Sequence, residues 1–297
     1  MIKTAIFVLY HKEAPLFSSD VYHPLQTGCA NATFNLGILR DDSGDNISAK
    51  NSNYGELSAW YWVWKNWLPT HPEVDRFGFC HYRRFLDPFS PPCSEQPFRP
   101  MKASTFAKKF SAWNDDDVDK AFHGADIVAP QKLDLRKSPL YDRIHETVYT
   151  QYAKAHPVSD MDTFMRLVSS ESSASARATK ELLSGHVFRD CLMFVMRRDL
   201  FEDLASWAFR LLFALEKTSH WECYTGYMDI RTPAYLMERF FNVWLALHAE
   251  ASLLERDSVR IADKSDGLLR RVRRSIRRLK HPPRDARTVP IPALLQT

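Results

Sequence analysis

Two short apolar segments, each followed by a cluster of polar and charged side chains, constrain the fold of this chain most strongly. Thr4–Tyr10 precedes His11 and Lys12, and Arg76–Cys80 precedes the segment His81–Arg84. Short apolar runs bounded by polar turns are typical of buried strands. In open α/β sheets, ligands bind outside the carboxyl ends of the strands. The pattern therefore predicts a sheet with a polar crevice at one edge.

Strand and helix patterns alternate along the rest of the chain. Large apolar residues recur every three or four positions over Tyr54–Trp67, which indicates a helix that Asn51 or Ser52 could cap. Further strands are predicted over Asp126–Ala129 and Cys191–Met196. Further helices are predicted over Ala103–Phe122, Leu140–Ala155, Asp160–Val168, Arg198–Glu216 and Tyr235–Leu247. Loops are predicted over Asn35–Ser52, residues 88–100 and Ser169–Ala178. This order predicts an α/β fold, with an open mixed sheet flanked by helices.

The composition excludes several common protein classes. The chain has 297 residues, 45% of them hydrophobic, which suffices for one large packed domain, predicted over residues 1–250. It has nine glycines, and neither glycine-rich phosphate-binding motif occurs. No apolar run reaches the roughly 18 residues of a membrane-spanning helix. Five scattered cysteines without a CxxC pair predict reduced thiols in the cytoplasm rather than disulfides or a zinc site.

Residues 251–297 are predicted to form a separate basic tail. Residues 268–287 contain nine basic residues and one acidic residue, so this segment carries +8 and the rest of the chain −4, which together give the net charge of +4. Large apolar residues recur there at helical spacing: Leu268, Val272, Ile276 and Leu279. This is the pattern of a basic amphipathic helix on an anionic membrane surface, with a solvated tail as the alternative. Nucleic acid is not predicted as the partner, because no aromatic residues interleave the arginines.

Arg83 and Arg84 are the strongest candidates for binding an anion. Adjacent guanidinium groups just past a strand offer planar, bidentate donors that can hold a diphosphate. Alternatively, one arginine is solvated and the other pairs with an acid such as Asp87. The residues alone leave both interpretations open.

Carboxylates supply two further candidates. Asp41, Asp42 and Asp45 could bind a divalent cation, or Asp45 and Asn46 could bond sugar hydroxyls, although ordinary turn chemistry also explains these residue types. Glu238 lies near a predicted helix start and could act as a general base. An ion pair with a neighbouring arginine, 231 or 239, is the structural alternative for Glu238.

Eight sequence blocks together resemble a bacterial family that is found in capsular and O-antigen polysaccharide loci and is long described only as a domain of unknown function. Its members resemble glycosyltransferases, some assigned as galactofuranosyltransferases. The matching blocks are Tyr10–Lys12, Asp41–Ser48, Lys50–Asn51, Tyr54–Leu57, Tyr61–Asn66, Cys80–Arg84, Met193–Arg198 and Tyr235–Arg239. They cover roughly residues 3–248. Gly55 stands where a cysteine is frequent and Ala234 where a glycine is frequent, and neither departure removes a charged group.

The resemblance implies a glycosyltransferase A-like fold and an inverting transfer of a sugar, such as galactofuranose, from a uridine-diphosphate donor to a bacterial polysaccharide or lipid-linked acceptor. The strand-end Asp-x-Asp of many enzymes with that fold is absent, and His81–Arg84 takes its place. Arginines rather than a metal are therefore expected to stabilise the departing diphosphate. The predicted catalytic residues are Glu238, His81 and Arg84. The predicted donor-binding residues are Tyr10, His11, Lys12, Asp45, Asn46, Ser48, Lys50, Asn51, Glu56, Tyr82 and Arg83. No metal or other cofactor is predicted.

Two other functions stay open at this point. A transferase with another phosphorylated donor, such as phosphoribosyl pyrophosphate, would use the arginines equally well. A non-catalytic scaffold of polysaccharide assembly would need the basic tail to reach the membrane, and it would need none of the predicted catalytic residues. For the glycosyltransferase, the expected location is cytoplasmic and peripheral at the inner membrane.

Overall fold

A mixed β-sheet forms the centre of the molecule. The computed structural model describes residues 3–92, 98–137, 147–262 and 291–296. The strands are β1 (Thr4–Tyr10), β2 (Tyr22–Gln26), β3 (Leu39–Arg40), β4 (Arg76–His81), β5 (Arg84–Leu86), β6 (Arg99–Lys102), β7 (Ile127–Pro130), β8 (Leu133–Asp134), β9 (Val187–Phe188), β10 (Phe194–Arg197), β11 (Leu253–Arg256) and β12 (Ser258–Ala262). The helices are α1 (Asn51–Tyr54), α2 (Leu57–Trp62), α3 (Ala103–Ser111), α4 (Asp115–Phe122), α5 (Val148–Ala153), α6 (Val158–Ser169), α7 (Ser173–Ser184), α8 (Arg198–Glu216), α9 (Tyr227–Ile230), α10 (Thr232–Leu247) and α11 (Ala293–Gln296).

The topology brings several strand ends to one edge of the sheet. The strand order is β11-β7-β10-β4-β1-β2-β3, with β5 paired to β4, and with β12 paired to both β5 and β6. Strands β1 to β4 are parallel to one another. Because β10 is antiparallel to both β4 and β7, the residues that precede β10 lie at the edge where β1, β4 and β7 end. The predicted α/β class, an open mixed sheet flanked by helices, is confirmed.

The sheet separates two apolar layers. Along β1, alternate residues such as Phe7 and Val8 belong to opposite layers, as the two-residue period of a strand requires. One layer packs against α2, α6, α8 and α10, and the other against α3 and α4. Fully burying one large apolar side chain contributes about 1.5–3 kcal/mol. The two layers therefore hold the sheet edge rigidly from both faces.

A glycine in β4 permits the close approach of β10. A Cβ atom on Gly78 would lie 2.6 Å from the carbonyl oxygen of Phe194 and 2.7 Å from a methyl carbon of Val195. Real Cβ atoms essentially never come so close to another heavy atom. The absence of a side chain at this position therefore lets β10 lie beside the strand that ends at His81.

Several predicted elements differ from those observed. The predicted helix Ala103–Phe122 is two helices, because Asn114 interrupts it and its side chain caps α4. Ser169–Ala178 is not a surface connection throughout, because the Ser172 side chain caps α7, which begins at the next residue. Of the predicted helix over 140–155, the part before residue 147 lies outside the described residues, and α5 covers most of the rest.

The predicted helix Tyr54–Trp67 is interrupted at Gly55, between α1 and α2. The segment Val63–Trp67 continues α2 as a π-helix. The predicted capping role of Asn51 or Ser52 is wrong, since both residues lie within α1. Asn51 instead donates from Nδ2 to the carbonyl oxygen of Gly55 at 2.6 Å, which fixes the break between the two helices.

The sheet extends beyond residue 250. Strand β11 pairs with β7, and β12 pairs with β5 and β6. Residues 253–262 are thus part of the main sheet, and not of a separate tail as predicted. The predicted amphipathic helix over 268–287 lies outside the described residues. No helix in the described part of the chain is long and apolar enough to span a bilayer.

Candidate active site

The residues that follow β1 and β4 meet around the ring of Tyr82. The ring of His11 lies 5.2 Å from that of Tyr82, in an edge-on arrangement. The Nζ atom of Lys12 and the Cζ atom of Arg83 lie 5.3 and 5.5 Å from the centre of the same ring. The two polar clusters that the sequence places at strand ends are therefore one cluster in space.

Glu56 joins this cluster through Arg231, which precedes α10. Arg231 donates from Nη2 to Glu56 Oε2 at 3.2 Å. His81 and Arg84 lie within electrostatic range of the same carboxylate. Burial alone would raise the pKa of Glu56, but His81 in its protonated form, together with Arg231 and Arg84, lowers it on balance. The Glu56 carboxylate is therefore ionised at neutral pH.

The two histidines of the cluster are neutral at neutral pH. Burial is the main cause that lowers the pKa of His81 to about 4, against the opposing effect of Glu56. Partial burial and neighbouring cations, Arg231 first, also lower the pKa of His11, although its side chain is exposed at the rim. The Nε2 atom of His81 is buried and makes no hydrogen bond to any described residue. It can therefore donate to or accept from a ligand.

Glu238 on α10 lies next to the same charges. Its side chain is 19% exposed, and it accepts a hydrogen bond from Arg239 Nη1 at 3.1 Å. Burial raises the pKa of Glu238 to about 7; Asp190 and Glu56 act in the same direction, while Arg239 and Arg84 oppose it. A carboxyl group that titrates near neutral pH is suited to general acid–base chemistry. The structural alternative for Glu238 was an ion pair with a neighbouring arginine. That ion pair is present, with Arg239, and the pKa of Glu238 is nevertheless raised.

Arg84 connects Glu238 to the strand-end cluster. Its Nη1 atom donates to the sulfur of Cys191 at 3.7 Å, and its Cζ atom lies 5.2 Å from the centre of the Phe98 ring. Its Nε atom is buried and has no hydrogen-bond partner within the described residues. A guanidinium group has five N–H donors, so Arg84 can keep these contacts and still bind an anion.

Positive charge exceeds negative charge in this region. The cluster contains four cationic side chains: Lys12, Arg83, Arg84 and Arg231. The carboxyl groups coupled to them are those of Glu56, Asp190 and Glu238, and Glu238 is partly protonated at neutral pH. A region with excess positive charge attracts anionic ligands.

The loop that precedes α1 has a structural role instead. Asp41 is fully buried and accepts hydrogen bonds from four groups. The donors are Gly28 N, Cys29 N, Ser48 Oγ and Ser58 Oγ, at 2.5–3.0 Å. Ser48 bonds Asp41, and Asn51 bonds Ser58 Oγ and the carbonyl oxygen of Gly55 at the α1–α2 junction. Their predicted donor-binding roles stay predictions beside these structural contacts.

Three other predicted donor-binding residues also contact protein rather than the His81 cluster. Asp45 accepts from the hydroxyl of Tyr61 at 3.1 Å, and Asn46 bonds within its own loop. Lys50 forms an ion pair of 2.7 Å with Glu216 on α8. These contacts place Asp45, Asn46 and Lys50 on the α2 and α8 side of the molecule, and their donor-binding role stays a prediction.

Tyr10 is likewise a structural residue. Its side chain is fully buried, and its hydroxyl donates to the carbonyl oxygen of Pro15 and accepts from the amide of Phe17, both at 3.0 Å. The hydroxyl therefore fixes the loop after β1. The ring of Tyr10 packs beneath the cluster, 6.1 Å from the ring of Tyr82, whereas the neighbouring His11 and Lys12 contact Tyr82 from the more exposed side.

The described residues include no set of three His, Cys, Asp or Glu side chains that could hold a metal ion. The three aspartates considered as cation ligands are engaged separately. Asp42 accepts from Arg40 Nη2 at 2.5 Å, whereas Asp41 and Asp45 have the partners given above. Metal independence of the reaction stays a prediction.

Two open cavities lie at the opposite edge of the sheet. One of about 720 Å³ borders Thr4, and one of about 370 Å³ borders Arg76, at the amino ends of β1 and β4. Neither is lined by a predicted catalytic or donor-binding residue. The candidate active site is therefore identified by the chemistry of the cluster at the carboxyl edge of the sheet, and not by a cavity.

Sequence reasoning missed two members of the site. Arg231 was considered only as a partner of Glu238, although it directly precedes Thr232 and Pro233, a pair typical of a helix start. Cys191 was considered only as a reduced thiol. It reaches the site because β10 runs antiparallel to β4, and strand direction is not visible in the sequence.

The fold is that of a glycosyltransferase. The chain superposes on the structure of WbbM, described as a bifunctional glycosyltransferase and solved in its apo form, with a TM-score of 0.75 and 26% sequence identity. The match covers 88% of this chain and 46% of the WbbM chain, so the chain spans about half the length of WbbM. The predicted glycosyltransferase-like fold is confirmed, and the transferase activity stays a prediction.

Residues 5–249 match the model of the family described as Domain of unknown function (DUF4422), and the chain belongs to that family. A search of curated proteins found no match. The link to capsule or O-antigen loci and the galactofuranose donor stay predictions.

Proposed function

We propose that this chain transfers a sugar from a uridine-diphosphate donor to a hydroxyl group of a glycan. One observation carries the proposal: a carboxyl group with its pKa raised to about 7, that of Glu238, is coupled to Arg84 at the edge of the sheet where ligands of such folds bind. Burying a titratable carboxyl group among other carboxylates costs stability, so a scaffold has no evident use for it.

The cations of the cluster would hold the diphosphate of the donor. Arg83 and Arg84 are adjacent, and Arg231 reaches the same region from α10. As the bond between the sugar and the diphosphate breaks, negative charge grows on the departing oxygen. Donors already fixed in place stabilise that charge without reorganising. The Nε2 atom of His81, which is buried and unpaired among the described residues, would donate one further hydrogen bond to the same group once a bound donor reaches it.

Glu238 would act as the general base. The acceptor oxygen attacks the anomeric carbon while its proton passes to a carboxylate oxygen of Glu238, and the diphosphate leaves with the bonding electrons. One such displacement inverts the configuration at that carbon. A base with a pKa near the working pH combines a useful deprotonated fraction with sufficient basicity.

The finer parts of the proposal rest on the sequence resemblance. They are galactofuranose as the sugar, and a bacterial surface polysaccharide or lipid-linked oligosaccharide as the acceptor. The location at the cytoplasmic face of the inner membrane rests on the basic pattern of residues 268–287, outside the described residues.

Donor binding is the first test. The full chain is screened by thermal shift and calorimetry against UDP, UDP-galactofuranose, UDP-galactopyranose and phosphoribosyl pyrophosphate, with and without EDTA. Stabilisation by UDP compounds that survives EDTA, and that is lost in Arg84→Ala but kept in the control Lys120→Ala, at an exposed lysine on α4, is the expected result. If phosphoribosyl pyrophosphate binds and the UDP compounds do not, the donor is a phosphoribosyl compound and not a UDP-sugar.

Turnover is the second test. Glu238→Gln should keep UDP affinity and lose about 10²–10⁴-fold in transfer rate, the usual contribution of general acid–base catalysis. Unchanged turnover in Glu238→Gln would show that Glu238 is not the general base. Absence of any nucleotide binding would overturn the proposal as a whole.

A further inference from the structure

We propose that Cys191 is a positioning residue whose backbone conformation and thiol hold the guanidinium group of Arg84 beside Glu238. The catalytic consequence rests on the function proposed above. The contact itself and its effect on Glu238 do not, so they can be measured separately.

The backbone at Cys191 is strained. Its φ angle is +81°, in the left-handed region that side chains disfavour, and Cys191 is the one residue other than glycine with a positive φ in the described part of the chain. Such a conformation costs free energy and persists only where the surroundings fix it. Strain of this kind is concentrated at functional sites.

The surroundings that fix the strained turn belong to the helix of Glu238. Asn242, one turn after Glu238 on α10, accepts from the amide of Arg189 at 2.7 Å and donates to the carbonyl oxygen of Arg189 at 3.0 Å. The Arg189 side chain is itself held by Glu255 at 2.6 Å. Cys191 is therefore placed relative to α10 as well as to the sheet, and so relative to Glu238.

The thiol holds Arg84 without cancelling its charge. The sulfur of Cys191 is buried and accepts from Arg84 Nη1 at 3.7 Å. Burial raises the pKa of the Cys191 thiol far above its ordinary value, so the sulfur is neutral at neutral pH and is not a nucleophile. A carboxylate at this position would bind Arg84 more tightly but would neutralise it. A neutral acceptor orients the guanidinium and leaves its charge for Glu238 and for an anionic ligand.

The position of Arg84 decides which charges dominate at Glu238. Four charged groups face Glu238: Arg239 on its own helix, Arg84 on β5, Asp190 before β10, and Glu56 between α1 and α2. The two arginines favour the carboxylate, and the two acids favour the protonated form. If Arg84 loses its anchor, the balance shifts towards the acids. Glu238 then holds its proton to higher pH.

Titration of Glu238 by NMR in chain labelled with ¹³C at the glutamate carboxyl group tests this without any donor. Glu238→Gln assigns the signal. In Cys191→Ala the midpoint should rise by several tenths of a pH unit or more, and in Cys191→Ser, which retains an acceptor, it should return towards the wild-type value. Cys191→Gly removes the thiol and also the strain, so it should fold stably and titrate like Cys191→Ala. Cys223→Ala, at an exposed cysteine, is the control and should change nothing.

The acid limb of the transfer rate against pH should move with the titration. An unmoved midpoint in both Cys191→Ala and Cys191→Gly, with only stability affected, would make Cys191 purely structural and overturn the inference. If the wild-type chain transfers no sugar from any donor, the proposed function fails, whereas the titration still decides the role of Cys191.

Discussion

Arg231 and Glu56, which are 175 positions apart in the sequence, form an ion pair of 3.2 Å that joins the start of α10 to the junction of α1 and α2. Both side chains are largely buried, at 24% and 14% exposure. The pair fixes the helix that carries Glu238 relative to the helices that cover the end of β4. The candidate base and the cationic cluster are therefore held in one arrangement.

Gly55→Ala should displace Arg231 and weaken diphosphate binding. The φ angle of Gly55 is +55°, and an added Cβ would lie 2.5 Å from Arg231 Nη2. Loss of one charge-assisted contact corresponds to about a tenfold weaker affinity for UDP, or about 1.4 kcal/mol, measurable by calorimetry.

Gly37→Ala is the matched control for this change. The φ angle of Gly37 is +69°, and an added Cβ there meets nothing within 4 Å. Both variants place a side chain at a positive φ, so both should melt earlier, and Gly55→Ala more so because its ψ of −130° lies outside the left-handed helical region. Only Gly55→Ala should lose UDP affinity, and equal affinities in the two variants would show that Arg231 is not displaced from a binding role.

Glu238→Gln should stabilise the folded chain at alkaline pH. The folded state keeps the Glu238 proton up to a pKa of about 7, whereas the unfolded chain releases it near the ordinary value of 4.5. Between these values the native state binds more protons, so the free energy of unfolding falls as pH rises. Glutamine removes this dependence, which amounts to about 3 kcal/mol at pH 8 and little at pH 5. Urea unfolding at both pH values measures it; an equal effect at the two values would contradict the raised pKa.

The rate of transfer should fall on the acid side of about pH 7, because protonated Glu238 cannot accept the proton of the acceptor. A single ionisation predicts about a tenfold loss in kcat/KM for each pH unit below that midpoint. The measurement is a pH profile of kcat/KM, with Glu238→Gln expected to be slow and nearly flat. A wild-type profile that stays flat down to pH 5 would exclude Glu238 as the base.

Asp41→Ala should destabilise the fold strongly, and Asp42→Ala should not. Asp41 is buried and holds four donors, and its removal leaves buried groups without partners, at a cost of about 3 kcal/mol or more. Asp42 forms a partly exposed pair with Arg40, and solvent-screened pairs of this kind contribute little to stability. Urea unfolding of the two variants compares them directly. Similar losses in both would contradict the structural role of Asp41.

The positions of functional residues could be predicted from the sequence where polar side chains directly follow a parallel strand. The polar residues after β1 and β4, His11 and His81 among them, could be placed together because both strands end at the same edge. The segment from Asp41 to Glu56 could not be divided in advance, since buried caps and ligand-binding groups use the same residue types. Asp41 packs into the interior of its own loop, whereas Glu56 joins Arg231 beside the cluster after the break at Gly55, and both placements depend on tertiary contacts. The serine-rich start of α7 was missed for a related reason, because serine favours both loops and helix caps.

The pairing of β12 with β5 has a consequence for how the protein is made. Arg84 on β5 lies opposite Arg260 in the register of these strands, so the strand that presents Arg84 to the cluster is completed by residues 258–262. A ribosome that has synthesised the first 250 residues has produced every candidate site residue but not the strand beside Arg84. The nascent chain is therefore expected to gain its anion-binding edge only when Ala262 has emerged from the exit tunnel, and donor capture would mark the end of domain synthesis.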